Sequence, residues 1–97
     1  MVKGTTSDGF EFEYDESRLD DMRFVDVLAV VVDEKASLFD KVRGASQLLT
    51  MLLGPELKTR LYEHIGSRND GRVPRAEMEA ALEEIMAAAG KDAEKNS

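Results

Sequence analysis

Residues 38–53 read Leu38-Phe39-Asp40-Lys41-Val42-Arg43-Gly44-Ala45-Ser46-Gln47-Leu48-Leu49-Thr50-Met51-Leu52-Leu53, and Gly54-Pro55 closes the stretch. At helical spacing Leu38, Val42, Ala45, Leu49, Leu52 and Leu53 fall on one stripe, so the stretch is expected to be an amphipathic helix and the chain mainly helical. Ser37, with Asp40 three residues later, has the form of a capping box that opens it. Gly44 removes a side chain where another helix could approach closely. Leu48 lies on the flank of the stripe, and at 100° per residue Met51 points roughly 140° from its centre. A core on one side of this helix has no room for them, which makes both expected contact residues for another polypeptide.

Downstream, Gly54 suits a helix end and Pro55 suits the first position of a new helix. Leu57, Leu61, Tyr62 and Ile65 share a face of that helix, and Gly66 is placed as its stop. A polar turn comes next at Asn69-Asp70-Gly71-Arg72-Val73-Pro74, with Gly71 supplying a positive φ and Val73 packing back as a staple. Met78, Ala81, Leu82, Ile85, Met86 and Ala89 then mark a strongly periodic last helix, expected to end at Gly90. Residues 91–97 read as a charged, flexible tail.

Upstream, Gly9-Phe10-Glu11-Phe12-Glu13-Tyr14 alternates apolar and acidic residues, the period of a half-buried strand. A lone strand needs a partner, either within the chain as a hairpin or on a neighbouring copy, and its edge is a candidate self-association site. Residues 1–8 are small and polar and are expected to be flexible. Asp15 or Ser17 can cap a helix after the strand, with Asp20 and Asp21 loading the first helical turn. Met22, Val25, Ala29 and Val32 then fall on one face, and Phe24, Leu28 and Val31 on another. A helix that is apolar on two sides is either deeply covered or lies in an interface. The β-branched run Val30-Val31-Val32 would suit a strand equally well. The expected architecture is a single domain over residues 9–90: a small bundle of about four helices with a short amino-terminal strand or hairpin.

Composition narrows the function. The chain has 97 residues, no cysteine and a net charge of −7. This excludes disulfides, thiolate chemistry and cysteine-based metal sites, and it argues against nucleic acid, which needs a basic face. The longest uninterrupted apolar run is Val27–Val32, far short of a membrane span, and Met1–Asp8 lacks the apolar centre of a signal peptide. The protein is expected to be soluble and intracellular. His64 is the sole histidine and stands in a last helical turn, where a cation suits the dipole better than a ligand or base role. Asp70-Gly71 with Glu77 echoes half of a calcium loop. In that register Gly66 and Arg68 occupy the first and third positions, one without an oxygen and one positively charged, so no metal is expected. No Ser/His/Asp spacing, phosphate loop or dinucleotide fingerprint is present, and the paired acids lie on solvent faces. No catalytic residue and no cofactor are expected.

Three segments in order carry a resemblance: Phe10-Glu11-Phe12-Glu13-Tyr14-Asp15-Glu16-Ser17-Arg18-Leu19-Asp20-Asp21-Met22-Arg23-Phe24, then Leu49-Thr50-Met51-Leu52-Leu53-Gly54-Pro55-Glu56, then Asp70-Gly71-Arg72-Val73-Pro74 with the closing helix. Over residues 10–97 the chain resembles the tail assembly chaperones of long-tailed, siphovirus-type bacteriophages and prophages, the lambda gpG-like group. Met22 stands where members of that group often carry tryptophan. The resemblance implies a non-enzymatic protein in the cytoplasm of a bacterial host that binds the tape measure protein, keeps it soluble and helps recruit tail tube protein. It also implies that some copies are extended by a ribosomal frameshift. Self-association is expected as well. Phe10, Phe12, Tyr14, Leu48, Met51 and Leu52 are the expected partner-binding residues. Two alternatives are a structural head–tail or tail completion subunit, which would remain in the virion, and an unrelated acidic helical adaptor.

Overall fold

The computed structural model describes the backbone of residues 1–95 and the side chains of residues 1–90. Two short strands, β1 (Val2–Thr5) and β2 (Glu11–Tyr14), form an antiparallel hairpin in which Val2 pairs with Tyr14 and Gly4 with Phe12. Val2, Phe12 and Tyr14 lie on its buried face while Glu11 and Glu13 face solvent, the alternation expected for a strand with one covered side. Glycine at position 4 is a packing requirement, since a Cβ there would lie 2.8 Å from the Phe12 ring. The first eight residues are therefore not the free tail expected from their composition. The backbone amide and carbonyl of Thr6 bond Phe10 and Gly9, closing the turn, and Gly9 takes φ +96°. Small polar residues are what a tight connection needs.

A 3-10 turn, Glu16–Asp20, is capped by Asp15 and leads into α1 (Met22–Val31), capped by the Asp21 carboxylate on the Arg23 amide. Asp21 is thus the cap and lies just outside the first turn. The valine run is helical as far as Val31, where the contacts with α2 override its β preference. Helix α2 (Leu38–Ser67) starts on the Ser37 cap, whose hydroxyl accepts from the Asp40 amide at 3.1 Å. α1 runs antiparallel to it: Arg18 reaches Met51 before the helix begins, and Val27 and Val31 pack over Gly44 near its end. A Cβ on Gly44 would lie 2.8 Å from Val31 Cγ2, so the glycine sets how closely the two helices approach.

Three α-helices are present where about four were expected, because segments 38–53 and 55–67 run on as one bent element. Gly54 alone departs from helical geometry, at φ 81° and ψ 163°. Pro55 has no amide hydrogen to give the Met51 carbonyl four residues earlier, and that carbonyl accepts instead from Arg18 Nη1 at 2.9 Å. Lys58 braces the bend from the other side, donating to Ser46 Oγ and Thr50 Oγ1, each at 2.8 Å.

Gly66 is not the stop of this helix. It is helical and buried against the backbone of Gly71, whose amide donates to its carbonyl at 2.8 Å, and the element runs on to Ser67 with Arg68 as its cap. The reversal is made by Asp70 and Gly71, at φ 55° and 84°. Helix α3 (Arg75–Lys95) continues through Gly90 instead of ending there, carried by the alanine-rich sequence on either side. Of the expected flexible tail, the backbone is helical to Lys95, and residues 96–97 lie outside the described residues.

The core is one cluster. Phe10, Phe12 and Tyr14 from the hairpin side, Phe24 from α1, Ala45, Leu48, Leu49, Leu52, Leu61 and Ile65 from α2, and Met78, Ala81, Leu82 and Ile85 from α3 pack together. α2 is the central element, in contact with α1, α3, β2 and the 3-10 turn.

Candidate docking surface

The central position of α2 revises the expected contact residues. Leu48 and Leu52 are enclosed within the single chain, at 0% and 1% exposure, and cannot meet a partner without unfolding. The expectation assumed a core on one side of this helix. Because α2 is covered from several directions, the buried sector is rotated by roughly 40° from the sequence stripe toward Leu48, while Leu38, in line with Ala45 and Leu49, is exposed because it is the first residue of the helix. Met51 is half-buried against the same core, beneath the Arg18 bond to its carbonyl. Phe10, Phe12 and Tyr14 are likewise buried. Phe12 and Tyr14 stack at 6.3 Å, Phe10 tilts against the His64 ring at 5.7 Å, and the Tyr14 hydroxyl donates to the Ile85 carbonyl at 2.8 Å. Their apolar face is spent inside the chain, and β1 pairs with one edge of β2. Five of the six expected contact residues are buried in the core, and Met51 is half-buried against it.

The polar residues of the turn around Asp8 are structural too. Asp8 accepts from the Thr6 hydroxyl and from Arg68 Nη2 at 2.8 Å, while Arg68 also binds Glu77 at 2.7 Å. His64 Nε2 lies 3.0 Å from the Asp8 carbonyl and 3.5 Å from its carboxylate. The Thr6 hydroxyl is the main cause that holds the Asp8 carboxyl below its ordinary value, opposed by burial and helped by Arg68 and His64. These bonds fasten the hairpin turn to the end of α2 and the start of α3. Lys58 is shifted down by burial beside Tyr62, whose ring centroid is 5.4 Å away, and its bonds serve the bend. Among the described residues no group of three or more His, Cys, Asp or Glu side chains is gathered as a metal site.

The apolar surface that remains lies on the other face of α1 and at the tip of the α1–α2 hairpin. Phe24 is buried, with Leu28 and Val31 half-buried beside it, and all three turn toward α2 and the core. Met22, Val25, Ala29 and Val32 are exposed and span roughly 80° of the helix circumference at 100° per residue. Met22 and Val32 expose 65% and 68% of their surface. Leu38 and Phe39 come directly after the connection between the helices, and Phe39 is 73% exposed. The two-sided apolar pattern of α1 was the signal for this surface, since one side is core and the other is free. Phe39 carried a second signal, an aromatic ring well off the apolar stripe of α2. An open groove of about 290 Å³ runs from Phe39 past Val42, Tyr62 and Val73 to Met78. A larger, shallow depression of about 710 Å³ between the hairpin and α2 mixes charges of both signs, Lys3 and Arg60 with Glu11, Glu13 and Glu56, around Phe12, Leu53 and Leu57.

No helix among the described residues is long and apolar enough to cross a membrane, so the exposed residues are not part of a spanning helix. No protein-family model, curated protein or solved structure matches this chain.

Proposed function

We propose that this chain is a non-catalytic assembly chaperone of the phage tail type, which docks on the tape measure protein and keeps it soluble until the tail is built. The observation that carries the reading is the exposed apolar stripe Met22-Val25-Ala29-Val32, with Leu38 and Phe39 also exposed just after the connection to α2. These side chains are presented together along one side of a single helix. Contiguous exposed apolar surface of this kind serves recognition of another polypeptide. The resemblance over residues 10–97 supplies the identity of that polypeptide, and the acidic surface supplies the solubility that a holding complex needs. The site lies on α1, not on Leu48 and the hairpin.

The test is co-expression with a long helical tape measure protein, the partner that the resemblance implies. The native protein is expected to hold that product in the soluble fraction and co-purify with it. A Val25→Glu/Phe39→Glu double variant, checked for unchanged helicity, is expected to leave it insoluble. A soluble complex with the double variant would refute the site, and an insoluble product with the native protein would refute the function.

A further inference from the structure

The exposed stripe on α1 is bordered mainly by one sign of charge. Asp26 stands beside it on the helix, Asp20 and Asp21 lie at its amino-terminal end, and Asp33 and Glu34 lie at its carboxyl-terminal end. Arg23 and Lys35 are the opposing cations, and all seven side chains belong to exposed residues. Among the described residues neither Asp20 nor Asp26 takes part in an ion pair. Their charge is available to a partner.

We propose that this face receives an amphipathic helix whose own apolar stripe is flanked by lysine or arginine. The inference rests on the docking role argued above and specifies the chemistry of the segment recognised. The positions Met22, Val25, Ala29 and Val32 recur at the spacing by which one helix lies along another. They run for about 15 Å of helix axis, which matches about three turns of a partner. Basic flanks would meet Asp26 on one side and the acidic ends on the others, a charge arrangement that steers encounter and fixes register. A second copy of this chain fits less well. Stacking α1 on its symmetry mate would set the same carboxylates against one another, on two subunits that each carry −7.

Fluorescence anisotropy with two synthetic helical peptides tests this on the full chain. Both peptides carry the same leucine stripe, one flanked by lysine and the other by glutamate. The lysine-flanked peptide is expected to bind, more weakly as salt is raised, and the glutamate-flanked peptide to fail. A Val25→Asn/Ala29→Asn variant, which leaves the net charge unchanged, is expected to weaken binding by about tenfold or more, as loss of central apolar anchors does. Asp26→Lys, with the apolar stripe intact, is expected to slow association and weaken binding as well. Circular dichroism establishes that each variant is folded.

Equal binding of the two peptides would overturn the proposal. So would undiminished binding to the folded Val25→Asn/Ala29→Asn variant, because the attraction would then be diffuse charge and not this face. Sedimentation that shows an oligomer dispersed by the same variant would make the face a contact between copies and would also overturn it. If the lysine-flanked peptide binds through α1 while the tape measure protein does not co-purify, the chemistry of the face stands and the phage assignment falls. If the tape measure protein co-purifies equally with native and variant chains, the assembly role stands and this inference falls.

Discussion

Truncating Leu48 to alanine separates the structural leucines of α2 from the docking residues of α1. Leu48 is fully enclosed and belongs to the one continuous core around the central helix. Removing a buried leucine side chain beyond Cβ costs about 2–5 kcal/mol, from lost transfer energy and the residual cavity. α2 is covered on several sides and has little freedom to collapse into the gap, so a loss of about 3 kcal/mol is expected at this site. A domain of this size holds only about 5–15 kcal/mol in total. With a urea dependence of about 1.5 kcal/mol per molar, the unfolding midpoint should fall by about 2 M. Circular dichroism in urea measures the shift, and thermal unfolding should show a fall of about 12–24 °C. At temperatures where the variant remains folded, its affinity for the lysine-flanked peptide should equal that of the native chain. The docking variant Val25→Asn/Ala29→Asn should show the converse, a near-native midpoint with impaired binding. A Leu48→Ala loss below about 1 kcal/mol would refute the enclosed core, because no fully buried leucine is that dispensable.

Tyr14→Phe removes the donor to the Ile85 carbonyl while keeping the ring, and should cost about 1 kcal/mol in urea unfolding. Gly44→Leu would force α1 away from α2 at Val27 and Val31; a cost of about 1–3 kcal/mol is expected, with faster proteolysis at the exposed Arg23 as a local readout. Asp8 gives the acid limb of stability: its carboxyl is held below the ordinary value in the folded chain, so its contribution is complete above the unfolded value of about 3.9 and disappears as pH falls through the lower folded value. Asp8→Asn should therefore lower stability near neutral pH and flatten its decline below about pH 5, measured as urea midpoints from neutral pH down to about pH 3. An unchanged acid limb in Asp8→Asn would show that other carboxylates carry it.

The helices that depend on local signals were legible from the chain. Ser37 with Asp40 opens α2, and the stripe Met78-Ala81-Leu82-Ile85 is the buried face of α3. The Asp70-Gly71 reversal is likewise a local feature, a positive-φ requirement that glycine meets. The features that local signals miss depend on tertiary partners. Gly66 looks like a helix stop because glycine commonly fills that position, yet here it is small to admit the backbone of Gly71. Gly54-Pro55 does break the helical geometry as expected; what local signals miss is that the two segments meet across the kink with no loop between them, with Arg18 on the orphaned Met51 carbonyl and Lys58 across Ser46 and Thr50. No spacing rule links Arg18 to Met51. Residues 2–5 have too little apolar content to announce a strand, and only the register that sets Val2 beside Tyr14 makes them one.

The candidate surface was half legible, and the reason lies in how periodicity works. A 3.6-residue repeat identifies which residues share a face, but it does not say which face meets the rest of the chain. For α1 the sequence defines two apolar faces and leaves open which is core. Aromatic Phe24 and the approach of Val31 over Gly44 decide it, both through contacts distant in sequence. For α2 the same ambiguity misled in the opposite direction, since residues in excess of one face look as if they require a partner when the missing neighbours are other parts of the same chain. The excess of apolar side chains in residues 22–53 is real, but the structure distributes it differently. Central α2 absorbs Leu48, and peripheral α1, covered along one side, leaves Met22, Val25, Ala29 and Val32 in water. In a small domain an outer helix that is apolar on both sides is therefore a better indicator of a docking face than a leucine-rich central one.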